Sequence, residues 1–378
     1  MKLKHLLRYP SQIRLAKSLL RSRKPLETEP RGILGIDLYT DHLLFDCARH
    51  LTCIAAVAQQ SGYAVNLRCT KSMLAALAHK PLGRSFLGMQ HVRWLGSRQI
   101  FPAHAVVLTD VLEYHANRVH AGQHLISMLI GNDVVPGTTV MPYPMHPNQI
   151  SARTLADRNR LRSREKRGIF FAGNQKQRYG RAKMQNRFGV LSRLEIVATL
   201  REAFPELLDA QREDRLVLVD TSVEKIEQQK WISKLAEHQF FVCCPGASQP
   251  MCHNVIEAMS VGVIPIIEYD DRFYPSLQDG ENCIAFRGRR GLVHAVKRIQ
   301  SMTRLERDRM SANVCRYFDR NLDGCEFLGK LFRAGRSREI RFVSMPFHDK
   351  NFFDPAAVEA SDPSEPRKAE LPVSRRVA

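Results

Sequence analysis

The sequence predicts an α/β protein of two doubly wound domains, and three observations carry that expectation. Short apolar runs bounded by Gly and Pro alternate with stretches of helical periodicity, the order that builds parallel sheets covered by helices. The alternation restarts after MPYPMHP at 141–147, whose three prolines favour an extended connector. A length of 378 residues also exceeds the size at which one hydrophobic core usually stops growing.

The elements follow in order. Residues 1–30 form a basic segment in which Leu3, Leu6, Leu7, Ile13, Leu15, Leu19 and Leu20 alternate with Lys and Arg. This pattern suits a helix lying on an anionic membrane surface, but Pro10 divides it, and a frayed basic tail is the equal alternative. The first domain spans 31–150. RGILGID at 31–37 is its first strand, 42–63 one long helix and 64–68 the second strand, a β-α-β start. A second helix covers 71–79, and HAVVLTD at 104–110 is a buried strand with Tyr114 just beyond.

The second domain spans 151–343. Its first strand, GIFFA at 168–172, runs straight into Gly173-Asn174. Helical periodicity follows at 188–204, then a strand at 215–220 and a helix at 228–238 bearing Trp231. Helices at 292–302 and about 307–318 come last. From 344 to 378 the composition turns to Asp, Pro, Ser, Glu and Ala and is read as a disordered tail.

The net charge of +19 is concentrated in three places. Segments 1–30, 151–187 and 287–309 carry net charges of +6, +10 and +6, leaving the rest slightly acidic. A basic surface fits an anionic membrane surface or nucleic acid, yet no zinc-finger spacing or aromatic RNA-binding motif accompanies it, so nucleic acid is the second hypothesis. No run approaches the roughly 20 apolar residues of a membrane span, and charges interrupt the N-terminus too often for a signal-peptide core. A cytoplasmic location, with or without attachment to the membrane, is expected. The nine cysteines lack paired metal spacing and fall mostly in apolar runs, where thiols act as small core residues. Adjacent Cys243 and Cys244 point to opposite faces of a strand, which argues against zinc there.

Residues 240–286 carry the strongest signal. FFVCC is a short strand that ends at Pro245-Gly246, a polar loop leads to helical spacing at 254–261, and Gly262 stops that helix before the strand VIPII. Ligands of open parallel sheets bind beyond the carboxyl ends of the strands, so this loop and the first helical turn are the natural lining of a site. Backbone N–H groups at that helix start favour phosphate.

The combination of CPG, NVIEAMSVGVIPII and DGENCIAF resembles the donor-binding domain of nucleotide-sugar glycosyltransferases of the GT-B fold, most closely the exostosin-like branch. The resemblance implies two Rossmann-like domains with the donor site in the cleft between them, the first domain holding the acceptor. It implies that Glu257 contacts the ribose of the nucleotide; the alternative is a solvated helix carboxylate. Many relatives carry a second Glu where this chain has Gln249, a departure that speaks against retention, and the exostosin-like likeness implies inversion. It implies no cofactor beyond the nucleotide-sugar donor and no bound metal, in keeping with the lack of an Asp-X-Asp motif at a strand end.

The expected donor-binding set is therefore Gly173, Asn174, Lys176, Arg178, Pro245, Gly246, Ser248, Gln249, His253, Asn254 and Glu257. Gly173 permits close approach of the backbone, and Lys176, Arg178 and Arg181 suit a diphosphate unless they are general basic surface. An inverting reaction needs a base from the first domain, and Asp37, Asp41 and Asp110, at predicted strand ends, are the candidates, with His42 beside them. Asp41 also suits the N-cap of the helix that follows. The reaction expected is transfer of a sugar to a hydroxyl of a glycan or lipid-linked acceptor. A catalytically inactive relative that scaffolds an assembly complex is the third reading.

Overall fold

The computed structural model describes residues 3–22, 28–96, 99–112, 123–151, 155–180, 182–337 and 340–359. The first domain contains α1 (Leu3–Arg21), β1 (Ile33–Asp37), α2 (Arg49–Gln60), β2 (Ala64–Arg68), α3 (Lys71–His79), α4 (Pro81–Gly88), β3 (Val92–Gly96), β4 (Val106–Thr109), β5 (His124–Ile130), β6 (Thr139–Val140) and α5 (Pro147–Ser151). The second contains α6 (Leu155–Arg162), β7 (Ile169–Gly173), α7 (Lys183–Phe188), α8 (Arg193–Ala203), β8 (Leu216–Asp220), α9 (Gln228–Leu235), β9 (Phe240–Val242), α10 (His253–Ser260), β10 (Ile264–Ile267), β11 (Ile284–Ala285), α11 (Gly288–Ser301) and α12 (Arg304–Tyr317). A π turn at Phe318–Leu322 then leads to α13 (Gly324–Ser337), β12 (Phe342–Met345) and α14 (Pro355–Glu359).

Two parallel sheets result, ordered β3-β2-β1-β4-β5-β12-β6 and β11-β10-β9-β7-β8. Their central strands, such as β4, β7, β9 and β10, are buried along their whole length, as parallel strands covered on both faces must be. The expected pair of Rossmann-like domains is thus present. Gly262 ends α10 at φ +76, where a Cβ would also meet Cys315 Sγ at 2.8 Å, so the stop signal is a close-packing site as well.

Three expectations are corrected. The single helix at 42–63 is two 3-10 turns followed by α2, because Asp46, Cys47 and Ala48 adopt φ of +46, +60 and +64 and break the helical path. The ordered chain extends beyond 344. Strand β12 pairs with β5 and β6 of the first sheet and α13 packs on α2 and β4, so the chain returns to the first sheet after the π turn. Val343 and Met345 are fully buried there, so four apolar-rich residues are captured by a sheet although their surroundings are polar. Residues 360–378 lie outside the described residues.

The third correction concerns the basic N-terminus. Helix α1 runs unbroken through Pro10 and packs on α3 and α4, with Ala16 fully buried and Ile13, Leu15, Leu19 and Leu20 against the core. The apolar side chains from Ile13 to Leu20 are thus covered by the protein itself. Several cations of the other basic segments are paired within the fold. Arg158 pairs with Asp323 at 2.9 Å, Arg162 with Asp319 at 2.7 Å, and Arg167 with Glu165 and Glu213. On and beside α11, Arg287 pairs with Asp270, Arg289 with Glu195 and Arg298 with Asp279. Among the described residues, no helix is long and apolar enough to cross a membrane.

Candidate active site

The two domains face each other across a cleft of about 950 Å³. From the second domain it is lined by the turns that follow β7, β8 and β9, and by the first turn of α10. The first domain supplies the Phe45–Arg49 turn, Tyr143 and His146 from the connector, and the stretch after β12. This is the carboxyl-end crevice in which parallel α/β sheets bind ligands.

Of the expected donor set, Gly173, Asn174, Gly246, Ser248, Gln249, His253, Asn254 and Glu257 come together on this wall. Gly173 is required by close packing, since a Cβ there would lie 2.9 Å from the Phe171 ring and 3.2 Å from Arg193 Nη1. Asn254 donates to the Ala172 carbonyl and so ties the helix to the end of β7. No side chain caps the N-terminus of α10; its cap residue, Cys252, is extended and accepts nothing there. The first N–H groups of that helix remain as donors for an anion.

Glu257 lines the cleft and is held by donors of the chain itself. Its carboxylate is fully buried, and Oε1 accepts from the His146 backbone N–H at 2.8 Å while Oε2 accepts from Trp231 Nε1 at 2.5 Å. His253 Nδ1 lies 3.1 Å from Oε1. With these chain donors on both oxygens, Glu257 is a buried, hydrogen-bonded part of the cleft lining, beside the more exposed His253. Burial opposes the charge of each, but their attraction prevails: the His253 imidazole is raised above its usual 6.5 and Glu257 is lowered. His146, whose ring lies 5.6 Å from that of His253, is pushed down to about 4 by burial and by that neighbouring charge.

The expected phosphate ligands Lys176 and Arg178 do not reach this cleft; both are exposed, and the Arg178 guanidinium lies over the Tyr179 ring at 4.9 Å. Arg181 lies outside the described residues. Pro245 is buried and does not line the cleft, but its carbonyl accepts from Arg193 Nη2 at 3.0 Å. Arg193 is the cation that sequence reasoning missed. It opens α8 behind the Ser192 cap, spans the Asn174 and Pro245 carbonyls at 3.0 Å each, covers the Tyr179 ring at 4.0 Å and lines the cleft. Its place in a run of helical periodicity gave no local signal, because the loops it joins are far apart in sequence.

None of the expected bases lines the cleft. Asp37 is buried and paired with Arg68 through two hydrogen bonds, from Nε at 2.8 Å and from Nη2. Asp110 accepts from the Tyr39 and Thr40 backbone N–H groups and from the Thr40 hydroxyl, and so clamps the turn after β1. Asp41 is exposed at the start of a 3-10 turn and its side chain caps nothing. His42 stacks on Phe352 at 3.7 Å. Tyr114 lies outside the described residues.

The carboxylates that the first domain does present are Asp46 and Asp349. Asp349 is held by Lys183 and Arg187 of α7 at 3.1 and 3.0 Å, a bridge between the domains. Asp46 is half exposed, pairs with Arg49 at 2.6 Å and begins the three-residue run at positive φ. Non-glycine residues held there store strain of about 1–3 kcal/mol each, and such strain gathers at functional sites.

No family model matches the chain, and no curated protein matches it in sequence. Solved structures resemble it in shape. The N-terminal domain of a trehalose-6-phosphate phosphatase from Candida albicans is 8% identical, with 84% of this chain and 99% of that one covered and a TM-score of 0.42. The Anabaena protein HepE in complex with UDP is 11% identical over 80% of this chain and 100% of that one, at 0.40. An O-GlcNAc transferase from Thermobaculum terrenum is 13% identical over 88% and 74%, at 0.41. No match supports the exostosin-like branch, and at such identities the likeness concerns the fold alone.

Proposed function

We propose that the protein is a metal-independent, inverting glycosyltransferase that moves a sugar from a nucleoside-diphosphate donor to a hydroxyl of a glycan or lipid-linked acceptor. The observation that carries this reading is the uncapped start of α10 in the cleft, with His253 on its first turn drawn toward its protonated form by buried Glu257. A leaving diphosphate gains negative charge as its bond to the anomeric carbon breaks, and preorganised donors there stabilise it most in the transition state. Arg193 and the Gly246–Ser248 backbone complete the cradle, so the charge is met by groups of the chain itself.

The base is Asp46. The acceptor oxygen forms the new bond to the anomeric carbon while its proton passes to the Asp46 carboxylate. The bond to the diphosphate oxygen breaks, and the diphosphate leaves with that electron pair. Asp46 reaches the cleft from the opposite domain, the side from which in-line attack must come.

Calorimetric titration with UDP, GDP and their sugar conjugates tests the donor site. Saturable binding of one of them, weakened by His253→Ala, is the expected result, followed by hydrolysis or transfer of the sugar. Absence of binding by any of them overturns the reading; binding without turnover identifies an inactive relative.

A further inference from the structure

Beside the cleft and sharing Gln149 and Phe347 with it lies a second, partly open cavity between the domains. It is walled by one face of α2 (Cys53, Ile54 and Val57), by the connector at Met141–Met145 and by Phe318, Leu322 and Phe327 of the returning chain. Its volume is about 70 Å³, several times the roughly 10–15 Å³ that one water requires. The wall is mainly apolar, yet three of its polar side chains have buried atoms without a hydrogen-bond partner. They are both ring nitrogens of His50, Oε1 of Gln149 and Nε of Arg158.

The three come from separate elements, α2, α5 and α6, and each has its own reason to be where it is. His50 is 1% exposed, packed between the Phe347 ring at 5.0 Å and the Tyr143 ring at 5.5 Å. Burial first, and the neighbouring Arg49 second, keep its imidazole neutral, so it offers one donor and one acceptor. Gln149 spends its amide nitrogen on the Gln228 carbonyl at 2.7 Å and keeps the oxygen as an acceptor. Arg158 is neutralised by Asp323. The site therefore carries hydrogen-bonding capacity of both kinds and no net charge.

We propose that this cavity binds an uncharged, mainly apolar small molecule bearing a hydroxyl group, which donates to Gln149 or His50 and accepts from His50 or Arg158. A charged ligand would enter an apolar cavity without a counter-ion, and a pure hydrocarbon would leave the buried polar atoms unmatched. Both domains and both crossings of the chain wall the site, so its occupant is gripped by the two domains together. Gln149 and Phe347 also line the cleft, which makes that boundary the entry. The proposal does not depend on the reaction assigned to the cleft.

Cyclohexanol is the probe, with benzoate and cyclohexylammonium as charged counterparts, titrated into the full chain by calorimetry and by nitrogen NMR of the histidine rings. The expected result is saturable one-site binding of cyclohexanol alone, with the His50 ring resonances shifted. Gln149→Met, close in size but without the amide, weakens binding about tenfold, and Val57→Phe, which fills the cavity, abolishes it. The proposal is overturned if cyclohexanol does not saturate, if the charged probes bind equally well, or if neither variant changes its affinity. Water alone on His50, unmoved by the probe, overturns it too. A parallel UDP titration reports separately on the cleft.

Discussion

His253 and Glu257 lie one helical turn apart on α10, and their side chains meet at 3.1 Å with the carboxylate fully buried. Glu257→Gln keeps the shape but removes the charge that sustains the imidazolium. Nucleotide affinity is expected to fall about tenfold, a loss of roughly 1.4 kcal/mol. Folding stability falls by about 1–3 kcal/mol as buried donors lose a charged acceptor. Calorimetry and urea melts of the same preparation separate the two effects.

The same pair sets a pH window. His253 is raised above 6.5, so its contribution to stability is full below that value and is lost as pH climbs through the higher folded-state value. Glu257 is lowered below 4.5, so its contribution is present above 4.5 and is lost as pH falls through the lower value. The couple therefore stabilises most between about pH 4.5 and 6.5. His146 and His238 act in the opposite direction: burial holds both at about 4, and their contribution is lost as pH drops from 6.5 toward 4. In urea melts across pH, His238→Phe is expected to flatten the acid limb, and Glu257→Gln to flatten the alkaline limb together with the part of the acid limb that Glu257 itself causes.

Arg193 joins two loops that a lysine cannot join, because only the guanidinium fork reaches the Asn174 and Pro245 carbonyls together. Arg193→Lys is expected to weaken UDP or GDP binding about tenfold and to cost about 1–2 kcal/mol of stability. Unchanged affinity by calorimetry would remove Arg193 from the cradle.

The carboxylates of the first domain divide by environment. Asp110→Asn and Asp37→Asn should lower the melting temperature by several degrees, about 1–3 kcal/mol, with nucleotide affinity intact. Asp46→Asn, which removes the partner of buried Arg49, should lower stability somewhat and leave affinity nearly unchanged while turnover falls at least about 100-fold, the usual worth of a general base. Sugar-transfer rates for the three variants decide the assignment.

What the sequence disclosed was local in origin. Strands such as β2, β7 and β8 and helices α3 and α9 announce themselves by burial pattern and breakers, and the GASQPMCHN loop by lying between a strand end and a helix start. What it concealed depends on distant partners. Asp46 sits in a stretch with continuous helical spacing, and only three successive positive φ angles turn it toward the cleft. Arg193 becomes a site residue through carbonyls 19 and 52 positions away. The motif points to Glu257, but the way its carboxylate is held depends on an N–H 111 positions earlier.

Strand β12, seated between β5 and β6, has a consequence for how this molecule is made and divided. The first sheet cannot close until the second domain has been synthesised, so the N-terminal half waits on the ribosome with β5 and β6 unjoined. A fragment cut at residue 150 inherits that gap as an open, apolar strand edge prone to self-association. Separating the halves requires a graft of residues 324–359 onto the first.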